Sequence, residues 1–265
     1  MEPLTETTVR LLAFGGIFAA MAVWEVLAPR RLRALPRAGR WFTNWGLSIA
    51  NAGLVAAMKV ILGAAAVLAA LDAAERGFGL FHALDWPAWI EIALAFLVLD
   101  FAIWFQHLAS HKIPILWRLH RVHHADRDVD VTTAIRFHPI EIGLSMLFKI
   151  ALVYALGAAA LAVILFEIVL NGSAMFNHAN VRLGRADRLL RLAVVTPDMH
   201  RIHHSVDRRE HDANYGFNLS IWDRLFRTYL EHPKGGHDGM TIGLSEHQNK
   251  RPANLLWALA FPFRR

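Results

Sequence analysis

The sequence predicts an all-α fold: an integral membrane helical stem whose cytoplasmic edge carries a histidine-rich, two-metal site. Three observations lead there. Hydrophobic residues make up 55% of the 265-residue chain and charged residues only 19%, against roughly 25% charged in an average soluble domain. The apolar residues gather in runs of about 20, the length that crosses a bilayer core. Nine of the 15 histidines fall in four short elements beside those runs.

The first run extends from about Leu11 to Leu27, with Glu25 near its end. Five arginines follow between Arg30 and Arg40, which by the positive-inside rule places this loop in the cytoplasm and the N-terminus outside. No basic stretch with a cleavage site precedes the run, so no signal peptide is expected. A second run, from Trp41 to about Leu71, has Lys59 as its one interior charge and is long enough to tilt. The loop 72–87 carries Asp72, Glu75 and Asp85 against Arg76, as an outer loop should. The third run, Trp89 to about Phe105, returns the chain to the inner side, where His107 and His111 stand.

Between Gly143 and Phe176 lie 34 largely apolar residues with Lys149 and Glu167 inside. A single crossing would put the whole bilayer between the histidines that follow and those that precede. The reading is therefore two helices of ~15–18 residues turning near Gly157, a pair that spans fully or dips as a re-entrant hairpin; the stem as a whole is expected to have about four spans, or three plus that hairpin. Arg182, Arg185, Arg188 and Arg191 repeat the inner-leaflet signature. Leu255 to Phe263 is apolar but too short to span, and is expected along the membrane interface. Trp24, Trp41, Trp45, Trp86 and Trp89 stand near run ends, as interfacial anchors do. With no repeat or low-complexity linker, residues 1–265 read as a single unit, its motif core at about 90–230.

The chain has no cysteine, which excludes disulfides, thiolate zinc sites and iron–sulfur clusters from it. Its net charge of +6 fits a basic cytoplasmic face; no nucleic-acid-binding motif accompanies it, so no nucleic-acid partner is expected.

The histidine elements are His107-Leu-Ala-Ser-His111, His120-Arg-Val-His123-His124, His178 in Phe-Asn-His-Ala-Asn, and His200-Arg-Ile-His203-His204. On a helix, residues three or four apart are neighbours on one face, so each cluster aims its imidazoles at one region. Neutral imidazole suits iron, zinc, copper or nickel, while magnesium and calcium prefer oxygen. Nine imidazoles exceed the four to six that saturate one first-row ion, so two metals are implied, and the adjacent His123 and His124 need not share one. His138, in Arg-Phe-His-Pro-Ile-Glu141, is read three ways: a ligand, a buttress to a ligand together with Glu141, or a water-facing residue. His82, His211, His232, His237 and His247 lack ligand spacing and are read as surface or loop residues. His232-Pro-Lys-Gly235-Gly236 is similar to a haem-binding histidine-proline-glycine-glycine motif with a lysine inserted, and is read as a turn, as is Tyr215-Gly216.

In order, spacing and membrane context, these clusters resemble those of the fatty acid hydroxylase and sterol desaturase superfamily of membrane di-iron enzymes. The resemblance covers roughly residues 90–230 and extends to Thr196-Pro-Asp-Met-His200 and to Asn214-Tyr-Gly-Phe-Asn-Leu-Ser-Ile-Trp222-Asp223-Arg-Leu-Phe226. It implies that His107, His111, His120, His123, His124, His178, His200, His203 and His204 hold two irons in a cytoplasmic cap over a four-helix stem. Some members carry a further histidine four residues after the one matching His178. Here that position is Arg182, which leaves Asn177, Asn180, His138 or water for a tenth donor.

By the same resemblance the chain is expected to hydroxylate or desaturate an apolar lipid substrate (sterol, fatty acyl, sphingoid or related) with O2 and two electrons, at the cytoplasmic side of a bacterial inner membrane. Zinc is able to replace iron on purification. Without cysteine or a haem domain of its own, the chain would draw electrons from an external carrier such as a ferredoxin or cytochrome b5, met by Arg118, Arg121, Arg127, Arg201, Arg208 and Arg209. Those arginines serve equally to contact lipid headgroups. Two other classes compete. A membrane metal transporter would place ligands along a path through the spans, and a zinc-dependent membrane hydrolase needs only about three protein ligands. The substrate is not legible in the runs 41–105 or 143–176.

Overall fold

The computed structural model describes residues 3–62, 65–84 and 86–264. Five long helices build the stem: α1 (Pro3–Leu27), α2 (Arg37–Leu62), α4 (Ala88–Lys112), α6 (Pro139–Leu156) and α7 (Ala160–His178), with the shorter α3 (Ala66–Arg76) between α2 and α4. Among the described residues, five stretches are long and apolar enough to cross a membrane: Thr5–Leu27, Arg37–Ala83, Ala88–Lys112, Pro139–Leu156 and Ala160–His178. The cap consists of α5 (Pro114–His124), α8 (Arg185–Leu190), α9 (Pro197–His203), α10 (Arg208–His211), α11 (Ile221–Leu225), α12 (Gly236–Gly239) and α13 (Leu255–Ala260). Among the described residues there is no strand, only three isolated bridges.

The 34-residue apolar stretch is two helices, and the turn between them falls on Gly157, whose φ of +64° favours glycine. A Cβ there would lie 2.6 Å from the Phe78 carbonyl oxygen, because Gly79 packs its own backbone against the same turn. Gly157→Ala should therefore lower stability by about 1–3 kcal/mol, read as an earlier thermal transition of the purified protein in detergent. The third run continues as helix to Lys112, so His107 and His111 sit on its last turns rather than in a loop after it. In the second run, residues 63–64 lie outside the described residues, as does the acidic loop residue Asp85.

In the stem core, Leu99 of α4, Val153 of α6, and Val163 and Phe166 of α7 pack with Ala66 and Ala70 of α3. Leu11, Leu12, Val23 and Val26 of α1 point outward and are exposed, as expected of a helix facing hydrocarbon.

Two expectations give way to packing. Leu255 to Phe263 does not simply lie on an interface: Trp257, Ala258 and Phe261 are buried against Leu47, Val122 and Ala125. Only Leu256 and Phe263 remain exposed. Arg118 and Arg121 fix this segment by donating to the Pro262 and Phe261 carbonyls at 2.8 Å each. Trp41 and Trp45 likewise face inward, each edge-on to Phe18, and Trp41 donates to Asp130 at 3.2 Å. Trp86 and Trp89 are exposed.

Buried charges lock cap to stem. The Glu25 carboxylate accepts from the backbone N–H of Val131 (2.7 Å) and Asn180 (2.9 Å). Arg40 donates to both oxygens of Asp126 (2.6 and 2.8 Å) and to Asp130 (2.6 Å). Arg136, fully buried, donates at 2.8 Å to the Val122 carbonyl, Asn44 and the Pro252 carbonyl. These ties fix the loop that follows α5 and close the cap over the helix ends.

Candidate metal centre

Local sequence sets the angle at which each histidine enters. α5 and α9 each open with proline at the first helical position, where a missing N–H costs nothing. Thr196 caps α9 by accepting from Met199 N–H at 3.3 Å. On α5, His120 and His124 are one turn apart and share a face, with His123 turned aside. On α9, His200 and His203 are helical and His204 is the C-cap; His178 is the last residue of α7.

All nine histidines are buried, and they form two sets. His107, His111, His120, His124 and His203 bring one ring nitrogen each within 4.8 Å of the others; His123, His178, His200 and His204 do the same. Both HxxHH elements are thus split: α5 gives two rings to the set of five and one to the set of four, and the α9 element gives one and two.

The protonation these rings adopt tests whether a metal fits. Nδ1 of His107 donates to the Tyr215 carbonyl (2.7 Å), His178 to Ala174 (2.7 Å), His203 to Ala213 (2.8 Å) and His123 to Arg136 (3.2 Å). His120 Nδ1 meets the Glu141 carboxylate at 2.6 Å. A neutral imidazole whose proton sits on Nδ1 has a bare lone pair on Nε2. Those lone pairs face one another: His107 and His120 Nε2 are 3.1 Å apart, and so are His123 and His178 Nε2. Two unprotonated nitrogens this close repel unless a cation lies between them. Nitrogens sharing one ion at about 2.0–2.1 Å, roughly at right angles, would be about 3 Å apart.

Further nitrogens point the same way. Among the described residues, His111 and His124 find no hydrogen-bond partner for either ring nitrogen, nor does His203 for Nε2, although buried polar atoms are almost always satisfied. Burial holds His123, His124, His200, His203 and His204 well below the usual imidazole range, in the neutral form that binds metal. The donor set fits metal ions in both places, and its all-nitrogen chemistry fits first-row transition metals.

His138 has structural work: its Nδ1 accepts from Ile140 N–H (3.2 Å) as the cap of α6, and its Nε2 donates to the Leu259 carbonyl (3.1 Å). Glu141 alone supports a histidine, through His120. Glu141→Gln should weaken metal binding by roughly 10- to 100-fold, read by titrating a chelator against the loaded protein. Asn180 spends its side chain on the Arg31 backbone, accepting at 3.0 Å and donating at 2.9 Å, and Arg182 is exposed. Asn177 donates to the Phe217 carbonyl at 2.6 Å, and its buried Oδ1 accepts no hydrogen bond among the described residues.

One histidine read as a surface residue belongs beside the centre. The His211 ring lies 4.9 Å from His111, 4.7 Å from His124 and 4.6 Å from Trp117, and burial pushes its pKa down to about 4. With Asp212 it closes the outer side of the set of five, where Lys112 pairs with Asp212 at 2.8 Å. Its position eight residues after His203, on a separate helix, carries no spacing signal. The proposed basic face also shrinks. Arg201 is buried against Asp198, and Arg118, Arg121 and Arg127 hold cap segments; Arg208 and Arg209 are the exposed pair.

Opposite this outer side, a cavity of about 510 Å³ opens on His107 and His120 and runs into the stem between the α1–α7 and α2–α6 pairs.

Comparison with known proteins gives a consistent picture. The sequence model of the fatty acid hydroxylase family matches residues 92–228. An ornithine lipid hydroxylase of Rhizobium tropici is 30% identical over 256 residues, covering 93% of this chain and 73% of that protein. The alkylglycerol monooxygenases of Xenopus tropicalis and Homo sapiens are each 30% identical, over 150 and 154 residues. Those matches cover 55% and 58% of this chain but only 31% and 34% of the two monooxygenases, so the chain spans about a third of their length. No solved structure matches the chain.

Proposed function

This chain belongs to the fatty acid hydroxylase family, and on that premise we propose that it is a membrane-bound non-haem di-iron oxygenase that hydroxylates or desaturates a membrane lipid. The observation that carries the reading is the pair of buried histidine sets, one of which borders a cavity leading into the stem. His107, His111, His120, His124 and His203 would hold one iron, and His123, His178, His200 and His204 the other. When bound, the iron pair supplies activation of dioxygen, which no side chain achieves alone. For hydroxylation the balance is one C–H bond, O2, two electrons and two protons in, and one alcohol and one water out.

The chain's own residues do the rest. His107 and His120 form the boundary between metal and cavity, so a substrate entering from the bilayer meets the centre there. Phe137 stacks on His123 at 4.4 Å between ring centroids and keeps that ring in place. The set of four is fully buried and away from the cavity, and the set of five meets the cavity only through His107 and His120, which keeps bulk water from most of the centre. Electrons come from a separate carrier of the ferredoxin or cytochrome b5 type, with Arg208 and Arg209 among the exposed cations on the outer side. The arginine-rich loops support a centre on the cytoplasmic side, and the membrane would be a bacterial inner membrane.

The names of the relatives favour hydroxylation, and they give ornithine lipid and alkylglycerol as first substrates to try. Metal transport is less well supported, since the histidines form one layer at the helix ends rather than a path. Lipids extracted from cells that do or do not express the chain, compared by mass spectrometry, test the reading. One lipid class should gain a single oxygen, or lose two hydrogens, only in expressing cells; identical profiles would reject it.

A further inference from the structure

The cavity wall is not the uniformly apolar surface that a channel for a hydrocarbon tail would have. Twelve of its 24 lining residues carry polar or charged side chains, though the helices that supply most of them are otherwise apolar. At its far end, Glu167 of α7 accepts from Arg10 of α1 at 2.5 Å and from Lys149 of α6 at 2.7 Å. Lys149 lies eight residues along α6 from Glu141, so this end is about 12 Å from the histidines at 1.5 Å per residue. Ionised groups inside a membrane stem are costly and mark ligand paths, and well-packed apolar side chains would be cheaper than a buried ion cluster. An ammonium has three donors, and Glu167 is the one hydrogen-bond acceptor of Lys149 among the described residues.

The polarity is reversed at the histidine end. Glu141 Oε2 and Asn51 Oδ1 are buried on the cavity wall and accept no hydrogen bond among the described residues. The wall thus offers bare acceptors beside His107 and His120 and the spare ammonium donors of Lys149 deeper in, where Arg10 is shared between Glu167 and Glu6 (2.9 Å). A hydrocarbon tail filling this space would strip water from both ends and return no hydrogen bonds.

Resting on the lipid-oxygenase reading above, we propose that the cavity receives the polar head of a zwitterionic lipid. The ammonium of that head turns toward Glu141 and Asn51, its anionic group turns toward Lys149 and Arg10, and the tails stay in the bilayer. The C–H bond presented to the centre then belongs to the head or its linkage, not to the tail.

Binding to the purified full chain in detergent tests this without turnover. The probes are Nα-palmitoyl-lysine, which carries both charges, its methyl ester, which keeps only the cation, and N-palmitoyl-alanine, which keeps only the anion. The zwitterion should bind at least tenfold more tightly than either partner. Lys149→Met/Glu167→Gln, which leaves no unpaired carboxylate, should erase that advantage over the methyl ester, and Lys149→Arg should keep it. Equal binding of the three probes by the unaltered protein would overturn the proposal, and so would a preference that survives the double substitution. Lipid-dependent O2 consumption is measured separately. Turnover of a tail-only lipid together with equal probe binding would sink the zwitterion site and leave the oxygenase standing, while the absence of turnover with every lipid would count against the oxygenase itself.

Discussion

Replacing one imidazole in each histidine set, by His203→Ala and by His123→Ala, will reduce lipid oxidation more than about 100-fold in each variant, beyond the 10- to 100-fold typical of an outer hydrogen-bonding partner. The sets share no member, so each substitution would strike a different ion of the proposed pair, and iron content should fall from two per chain toward one. His203 also holds the Ala213 carbonyl, and His123 the Arg136 carbonyl, so a folding control is needed. His232→Ala, at a ring far out in solvent, should leave both iron and activity unchanged. Full activity in either cluster variant would remove that set from the centre.

The second large effect lies outside the centre. Arg40→Met should lower stability by about 3–5 kcal/mol, the usual result of removing one partner from a buried ion pair. Arg40 bridges two carboxylates, Asp126 and Asp130, and all three are buried. Burial by itself would raise the Asp126 carboxyl, but the Arg40 and Arg136 guanidinium groups outweigh it and hold Asp126 below the usual carboxylate range. Without Arg40, two anions face each other in the loop that follows His123 and His124. The thermal transition should drop by roughly 10 °C, and metal should be lost more readily. Arg40→Lys should fall between, because one ammonium cannot reproduce a fork that engages both oxygens of Asp126 at once. A melting temperature like that of the unaltered protein would mean that this network does not secure the cap.

What the sequence made legible was local or periodic. Spacings of three and four set the imidazoles on shared faces, and long apolar runs marked the stem helices. The hairpin at Gly157 followed from a topological demand, since histidines that meet cannot lie on opposite sides of a bilayer. What it left hidden depends on distant partners. Glu25 looked like an interruption of the first apolar run, yet it accepts a hydrogen bond from the backbone of Asn180, 155 residues away. Arg40 read as part of a cytoplasmic charge cluster and is instead buried on Asp126, 86 residues on. Arg201 sat in a basic-looking stretch, but α9 turns it inward to Asp198. His211 has no helical relation to another histidine and reaches the centre only because α10 folds back over it. Charge and side-chain type do not say whether a residue faces water or a partner far along the chain; only the tertiary fold decides.

The most direct test of a di-iron lipid oxygenase is a reaction run with heavy-isotope dioxygen. Purified protein loaded with iron would be given a chemical reductant and lipid extract, and the products read by mass spectrometry. The lipid product should carry one heavy oxygen atom from the gas, form in step with O2 consumption and be absent from the His123→Ala and His203→Ala proteins. A product whose new oxygen comes from water, or one formed equally by those two variants, would contradict it.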